Sequence, residues 1–338
     1  MNNIYCIPIY LFPEQRVSIS RLSVLPGVKL IRLSGELKEK INTFSNKLPR
    51  EQGFAPNYAV LIDESSYKDE LVKRIKTGGS VVPAKIMIEP SSITKQVVIS
   101  LILAGRVSFK FRGVFNLKIK SQGKKKSYTI ASYSHGQLQE LSNSMQAALL
   151  SGTGNSAPLK PKTIIKFALI LDRYYRSGLW WNDRLSMSLA YIWDALCSPA
   201  PQQSFIGLTN ALEALISTTT QEITHILAER IALITESTPS KRKTKYNQVK
   251  DLYKIRSKIV HGSVFMKKGS QTTESLVISP KFSNVPLSMM TEITEVTFSL
   301  VIAVLSNPNF LSLIQVKRNE QKICEDVNNY FTDKLFGV

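Results

Sequence analysis

The sequence predicts an α+β protein, with a β-rich N-terminal domain over residues 1–150, a linker over 151–162 and an all-α helical bundle over 163–338. Three observations point to this class. Short runs rich in β-branched and aromatic residues, separated by turn formers, fill the chain as far as Tyr133. A stretch of Gly, Ser and Pro, SGTGNSAPLKPK, then interrupts the pattern at Ser151–Lys162. Beyond it, apolar residues recur at helical spacing almost to the end.

In chain order the β-type runs are NIYCIPIYLF, VKLIRL, YAVLID, SVVPAKIMIE, KQVVISLILAG, RVSFKFRGVFNLKIK and KKKSYTIASYS, with one helix expected within Gly35–Leu48. Val107, Phe109 and Phe111 alternate with Ser108 and Lys110, so one strand face is buried and the other wet, and SQGKKK (Ser121–Lys126) reads as a hairpin turn. A β-sandwich or a mixed sheet is the expected result. Helices follow at Thr163–Arg176, Arg184–Cys197, Ser204–Ser217, Gln221–Glu236, Lys241–His261, Ser288–Ser306 and Gln315–Phe336. Phe205, Leu208, Leu212 and Leu215 illustrate the reason: they share one face of a helix, and such a face must pack on another. Only Ser263–Val285 reads as irregular or hairpin-like.

Composition narrows the function. The chain of 338 residues carries a net charge of +19, a field that attracts phosphate backbones or acidic partners without any sequence recognition. Residues 1–155 hold 22 Lys and Arg against 10 Asp and Glu, and the remainder 22 against 15, so the excess is spread over both halves. The bland reading of this charge is solubility or a basic proteome. Cys6, Cys197 and Cys324 are odd in number and far apart, which suggests neither a disulfide framework nor a zinc site and fits a reducing cytoplasm. The start, MNNIYCIPIYLFPEQ, lacks the basic and small-residue flanks of a signal peptide. The apolar stretches Val97–Ala104 and Phe298–Leu305 fall short of the roughly 20 residues that span a bilayer, so a soluble, cytoplasmic protein without a membrane partner is expected.

The segment DLYKIRSKIVHG, Asp251–Gly262, carries the chemistry. On a helix Val249, Leu252, Tyr253, Ile259 and Val260 form an apolar stripe, and Arg256 lies on it. A guanidinium in that position needs a carboxylate, a phosphate or a wet cleft at a subunit interface. His261 lies five positions on, about 140° around an ideal helix, so the two diverge unless the helix ends. Gly262 offers that end, because glycine readily takes the left-handed turn that closes a helix, and a protonated histidine there is favoured by the helix dipole.

The runs FIGLTNALEALIS, HILAERIALI and VKDLYKIRSKIVHG resemble the ApeA-like HEPN family over about Phe205–Ser263. In that family an arginine followed after four to six residues by a histidine marks a nuclease site, and RSKIVH, Arg256–His261, with Gly262 behind it, matches. The resemblance implies a HEPN-like bundle and a metal-independent endoribonuclease needing no cofactor. It implies a homodimer in which two copies complete one composite site, acting in antiphage defence by abortive infection or alongside an antitoxin. RNA brings its own nucleophile, the 2′-hydroxyl. His261 is then assigned to general acid or base work, because its ordinary pKa of about 6.5 serves either role near neutrality. Arg256 is assigned to the scissile phosphate and the charge that develops on it. Ser257 fills a position where the family often carries a more strongly polar side chain. Glu213, in the ALEAL stretch, is a candidate counter-charge for Arg256, the plainer reading being a solvated carboxylate.

Two basic clusters, Lys124, Lys125, Lys126 and Lys241, Arg242, Lys243, Lys245, are candidate RNA contacts, although lysine runs are usually just solvated. Glu229 and Arg230 read as members of a local or interhelical ion pair. His135 and His225 have no partner in sequence. The RNA substrate, with tRNA among the candidates, would reach a protein whose N-terminal domain senses a phage-derived trigger. The competing reading is a non-catalytic HEPN protein that only dimerises or binds RNA. A metal-dependent nuclease ranks below both, since no acidic or His-rich spacing for a metal stands out.

Overall fold

The computed structural model describes residues 4–12, 19–46, 56–77, 89–111, 113–122, 125–134, 138–151, 159–176, 184–218, 223–261, 285–314 and 320–336. In chain order its elements are β1 (Ile4–Phe12), β2 (Arg21–Leu25), β3 (Val28–Arg32), α1 (Gly35–Asn46), β4 (Tyr58–Asp63), α2 (Glu64–Thr77), α3 (Pro90–Gly105), β5 (Ser108–Phe111), β6 (Val114–Gln122), β7 (Lys125–Ser134) and β8 (Gln139–Glu140). Helices follow: α4 (Asn143–Ser151), α5 (Pro161–Arg176), α6 (Arg184–Cys197), α7 (Pro201–Ile216), α8 (Ile223–Thr235), α9 (Pro239–Val260), α10 (Leu287–Ser306), α11 (Pro308–Ile314) and α12 (Glu320–Phe336). The chain is α+β, an antiparallel sheet followed by a helical region.

It divides into two compact units, each drawn from two stretches: Met1–Leu141 with Asn155–Arg176, and Ser142–Gly154 with Ser177–Val338. This division differs from the boundary expected at 151–162. Helix α4 belongs with the helical unit and α5 with the sheet, so the chain passes between the units three times. Residues 152–158 of the expected linker lie outside the described residues.

In the first unit the strand order β2-β3-β4-β1-β5-β8 is antiparallel throughout, with β6 paired to β1 and to β7. It is one antiparallel sheet, neither the sandwich nor the mixed sheet expected. β1 is central: β4 pairs along one edge, while β6 and β5 share the other, opposite Ile4–Cys6 and Ile9–Phe12. Pro8 explains the break between those two partners. The backbone of Leu11 donates to Asn57 Oδ1 and accepts from Asn57 Nδ2, both at 2.8 Å, which turns odd-numbered residues of β1 toward β4. Even-numbered Pro8 therefore faces the β5/β6 edge, where it has no N–H to offer.

Both sheet faces are covered. Cys6, Ala59, Phe115 and Leu117 pack with Leu33 and with Leu37 and Ile41 of α1. On the other face Ile7, Ile9, Val60 and Ile62 are buried, and α3 packs on β1 and β4 while α5 packs on β2 and α3. The run KQVVISLILAG, expected as a strand, is the body of α3. Ile93, Val97, Val98, Leu101 and Ile102 are all buried, so the helix shows no polar face, and an unbroken apolar run does not distinguish a buried helix from a buried strand. Glu89 caps this helix with Pro90 behind it, and Arg106 ends it with φ 53, its N–H on Ile102 O at 2.8 Å. The other residues of the expected strand SVVPAKIMIE lie outside the described residues.

In the second unit α6 packs on α7 and α8 on α9, and α10 runs against α4, α7, α8, α9 and α11. α10 is 20 residues long with mean hydropathy 1.5 over its most apolar window, long and apolar enough by those measures to cross a bilayer, which corrects the shorter apolar stretch expected at Phe298–Leu305. Met290, Ile293, Val296, Phe298, Leu300, Val301 and Val304 are buried in its contacts with the other helices, as in the core helix of a bundle. Helix α11 was not expected. Asn307 accepts a hydrogen bond from Phe310 N at 3.1 Å and Pro308 opens the first turn, a start signal in the gap between the expected helices Ser288–Ser306 and Gln315–Phe336.

Candidate functional site

Helix α9 carries the site. Thr238 precedes it as N-cap, its side chain accepting from Lys241 N, and Pro239 fills the first turn. Val249, Leu252, Tyr253 and Ile259 are buried as the stripe requires, but Val260, the last residue of the helix, is 50% exposed. Arg256 lies within the stripe and stays partly open, with 32% of its side chain exposed.

Arg256 faces Glu213 of α7, Nη2 to Oε1 at 3.6 Å. That is an ion pair but too long for a good hydrogen bond. Arg256 Nε and Glu213 Oε1 are both shielded from solvent and make no hydrogen bond. The guanidinium is thus charge-compensated, with its Nε shielded and part of the side chain open to another anion. Tyr253, one turn earlier, donates to Thr209 O at 3.4 Å. Burial pushes its phenol well above the usual range near 10, and the Glu213 carboxylate reinforces this while Arg256 opposes it. Tyr253 entered the sequence reading only as an apolar residue. Its polar end belongs to the Arg256 and Glu213 cluster.

His261 is the C-cap of α9, with φ −87 and ψ 8, and its N–H reaches Ser257 O at 3.0 Å. The imidazole is exposed, and no hydrogen bond or ion pair joins it to Arg256 among the described residues. Because the helix is unbroken through Val260, Arg256 and His261 project about 140° apart. Ser257 is exposed on the histidine's side of the helix. Gly262, expected to turn the chain, lies outside the described residues, as do Ser263–Asn284 and His135.

The basic candidates separate. Arg242 Nε donates to Glu236 O at 2.9 Å, and Lys245 Nζ donates to Gln248 Oε1 at 2.9 Å with Glu236 4.0 Å away, so both are engaged locally. Lys241 and Lys243 are exposed. Lys125 and Lys126 open β7 in register with Gln122 and Ser121, the pairing expected of a hairpin, while Lys124 lies outside the described residues. These lysines belong to the first unit and the remaining candidates to the second.

Arg230 hydrogen-bonds to neutral partners. It caps the end of α7, donating to Ile216 O at 2.8 Å and Thr218 Oγ1 at 2.9 Å, reaches Asn328 Oδ1 of α12 at 2.5 Å, and lies over the Phe331 ring. Arg184 closes the same helix end on Ser217 O and pairs with Glu320. His225 Nδ1 lies 2.7 Å from the Tyr246 hydroxyl, a partner about two turns into the next helix that sequence separation conceals. In the first unit a groove of about 410 Å³ between α1 and β7 is lined by Lys40, Phe44, Tyr128 and Ile130 and contains none of the sequence-derived candidates. No group of three or more His, Cys, Asp or Glu positioned to share a metal occurs among the described residues. Comparison of the chain with family models, with curated proteins and with solved structures returns no significant match.

Proposed function

We propose that the helical unit is a HEPN-type endoribonuclease that needs no metal. The observation that carries this reading is Arg256: a partly exposed arginine on an otherwise apolar stripe, held by Glu213 at 3.6 Å, five residues before an exposed histidine at the helix end. The 2′-hydroxyl of the substrate attacks the adjacent phosphorus, losing its proton to a general base, and the 5′-oxygen leaves with a proton from a general acid. His261 takes one of these two roles, and Arg256 neutralises the charge on the phosphoryl oxygens as they become more negative. The products are a 2′,3′-cyclic phosphate and a free 5′-hydroxyl.

Since the two side chains diverge on one helix, the reading requires a homodimer in which Arg256 of one copy meets His261 of the other. Glu213 positions the arginine, and the resemblance supplies the setting, antiphage defence by abortive infection, with the first unit as sensor of a phage-derived trigger. The second reading, a HEPN protein that binds RNA or a partner without cutting, is favoured by the same divergence. Complementation separates them. Arg256→Ala and His261→Ala chains are each inactive alone, and on co-expression the mixed dimer holds one intact pair and recovers up to half of wild-type cleavage per dimer. Mixed dimers with no activity, beside an active wild type, contradict the composite site.

A further inference from the structure

The solvent face of α9 holds a line of lysines that the catalytic reading does not use and that ends at His261. Lys243, Asn247, Lys250, Lys254, Lys258 and His261 recur at intervals of three, four or seven residues and fall within about 60° of one line along the helix. All are exposed except Lys250, which is half-buried with its Nζ 5.1 Å from the centre of the Tyr246 ring. Asp251 answers one of these charges, accepting from Lys254 at 2.8 Å. Lysines four apart repel one another, and Lys243 puts positive charge in the first turns, where the helix dipole disfavours it. A helix whose only task were to bury its opposite stripe would gain from acidic residues at these positions.

We infer that this lysine line is a binding track for the phosphate backbone of single-stranded RNA, leading the strand along α9 to His261. The steps between Lys250, Lys254 and Lys258 are about 6 Å along the axis, comparable with successive phosphates of an extended strand. Tyr246, half-buried beside Lys250 and fixed by His225, places an aromatic ring next to the line where an unpaired base can stack. The polarity of the track, with its end at the histidine, rests on the ribonuclease reading; the track itself does not.

The test uses the full chain and a fluorescein-labelled, 2′-O-methylated oligouridine, which keeps its phosphates and has no nucleophile, so that binding is read without cleavage. Replacing Lys243, Lys250, Lys254 and Lys258 with Gln lowers affinity by at least tenfold and flattens the slope of log affinity against log salt by roughly 0.7 per lysine. The pair Lys250→Gln and Lys254→Gln alone gives about half of that change, which guards against a misfolded quadruple variant. Replacing the exposed Lys38 and Lys73, which lie off the line, leaves the slope within error. An unchanged slope in the line variants, an equal loss in the control, or equally tight line-dependent binding of polyglutamate would overturn the track, the last by making it a surface for acidic protein. Line-dependent binding by a protein that cuts no unmodified RNA keeps the track and retires the nuclease.

Discussion

Arg256 was legible in the sequence as a charge on an apolar stripe, and its exposure of 32% beside Glu213 gives that position its physical meaning. What the linear pattern could not supply was the partner. Glu213 lies 43 residues earlier on another helix, and only packing brings the two together. Tyr253 shows the same limit, since periodicity marks a residue as buried without saying where its hydroxyl ends. Burial, with the Glu213 carboxylate, raises its phenol pKa well above the usual 10. In the unfolded chain this tyrosine ionises near pH 10 while the folded one stays neutral. Its contribution to stability is therefore complete below pH 10 and declines as pH rises beyond it. Spectroscopic titration of native protein should accordingly show a tyrosine that ionises only on alkaline unfolding, and Tyr253→Phe should remove it from that hidden class. A native Tyr253 that titrates near 10 would contradict the buried cluster.

Among the elements, α5 to α10 and α12 were readable from their periodicity, while α2, α3, α4 and α11 were not. α6 matches its expected bounds, Arg184–Cys197, because its buried Leu185, Leu189, Ile192, Trp193 and Leu196 recur at helical spacing. α3 was missed because burial on all sides erases the 3.6-residue signal, and α11 because its Asn307-Pro308 start falls between two strong periodic segments. On α9 the stripe was drawn one residue too far, to Val260. The energetic consequence separates the two helices. Phe298, 1% exposed at the centre of α10, should cost about 3–5 kcal/mol on truncation to Ala, the sum of lost transfer energy and a cavity. Val260→Ala, at 50% exposure, should cost less than about 0.5 kcal/mol. Urea unfolding of the two variants checks this, and a large loss at Val260 would mean that a second copy covers it.

At the scale of the whole molecule, the change from β-type to helical patterning was visible, yet the path of the chain was not, because composition marks a break without saying which element returns to which core. The return of α5 to the sheet is secured by contacts with α3 and β2 and by the Tyr67 hydroxyl on Asp172 at 3.3 Å, while α4 packs on α10. A protease nick between Ser151 and Lys160 should therefore leave two fragments that co-elute under native conditions and separate only in denaturant. Fragments that part without denaturant would contradict this interleaving. The central claim concerns the second unit, and its most direct test is incubation of total cellular RNA and tRNA with purified protein in EDTA, wild type beside His261→Ala. The wild type should leave ends in 2′,3′-cyclic phosphate, and the variant should lose at least a hundredfold in rate, the scale of a general acid or base. Equal cleavage by both proteins, or cleavage that EDTA abolishes, would contradict it.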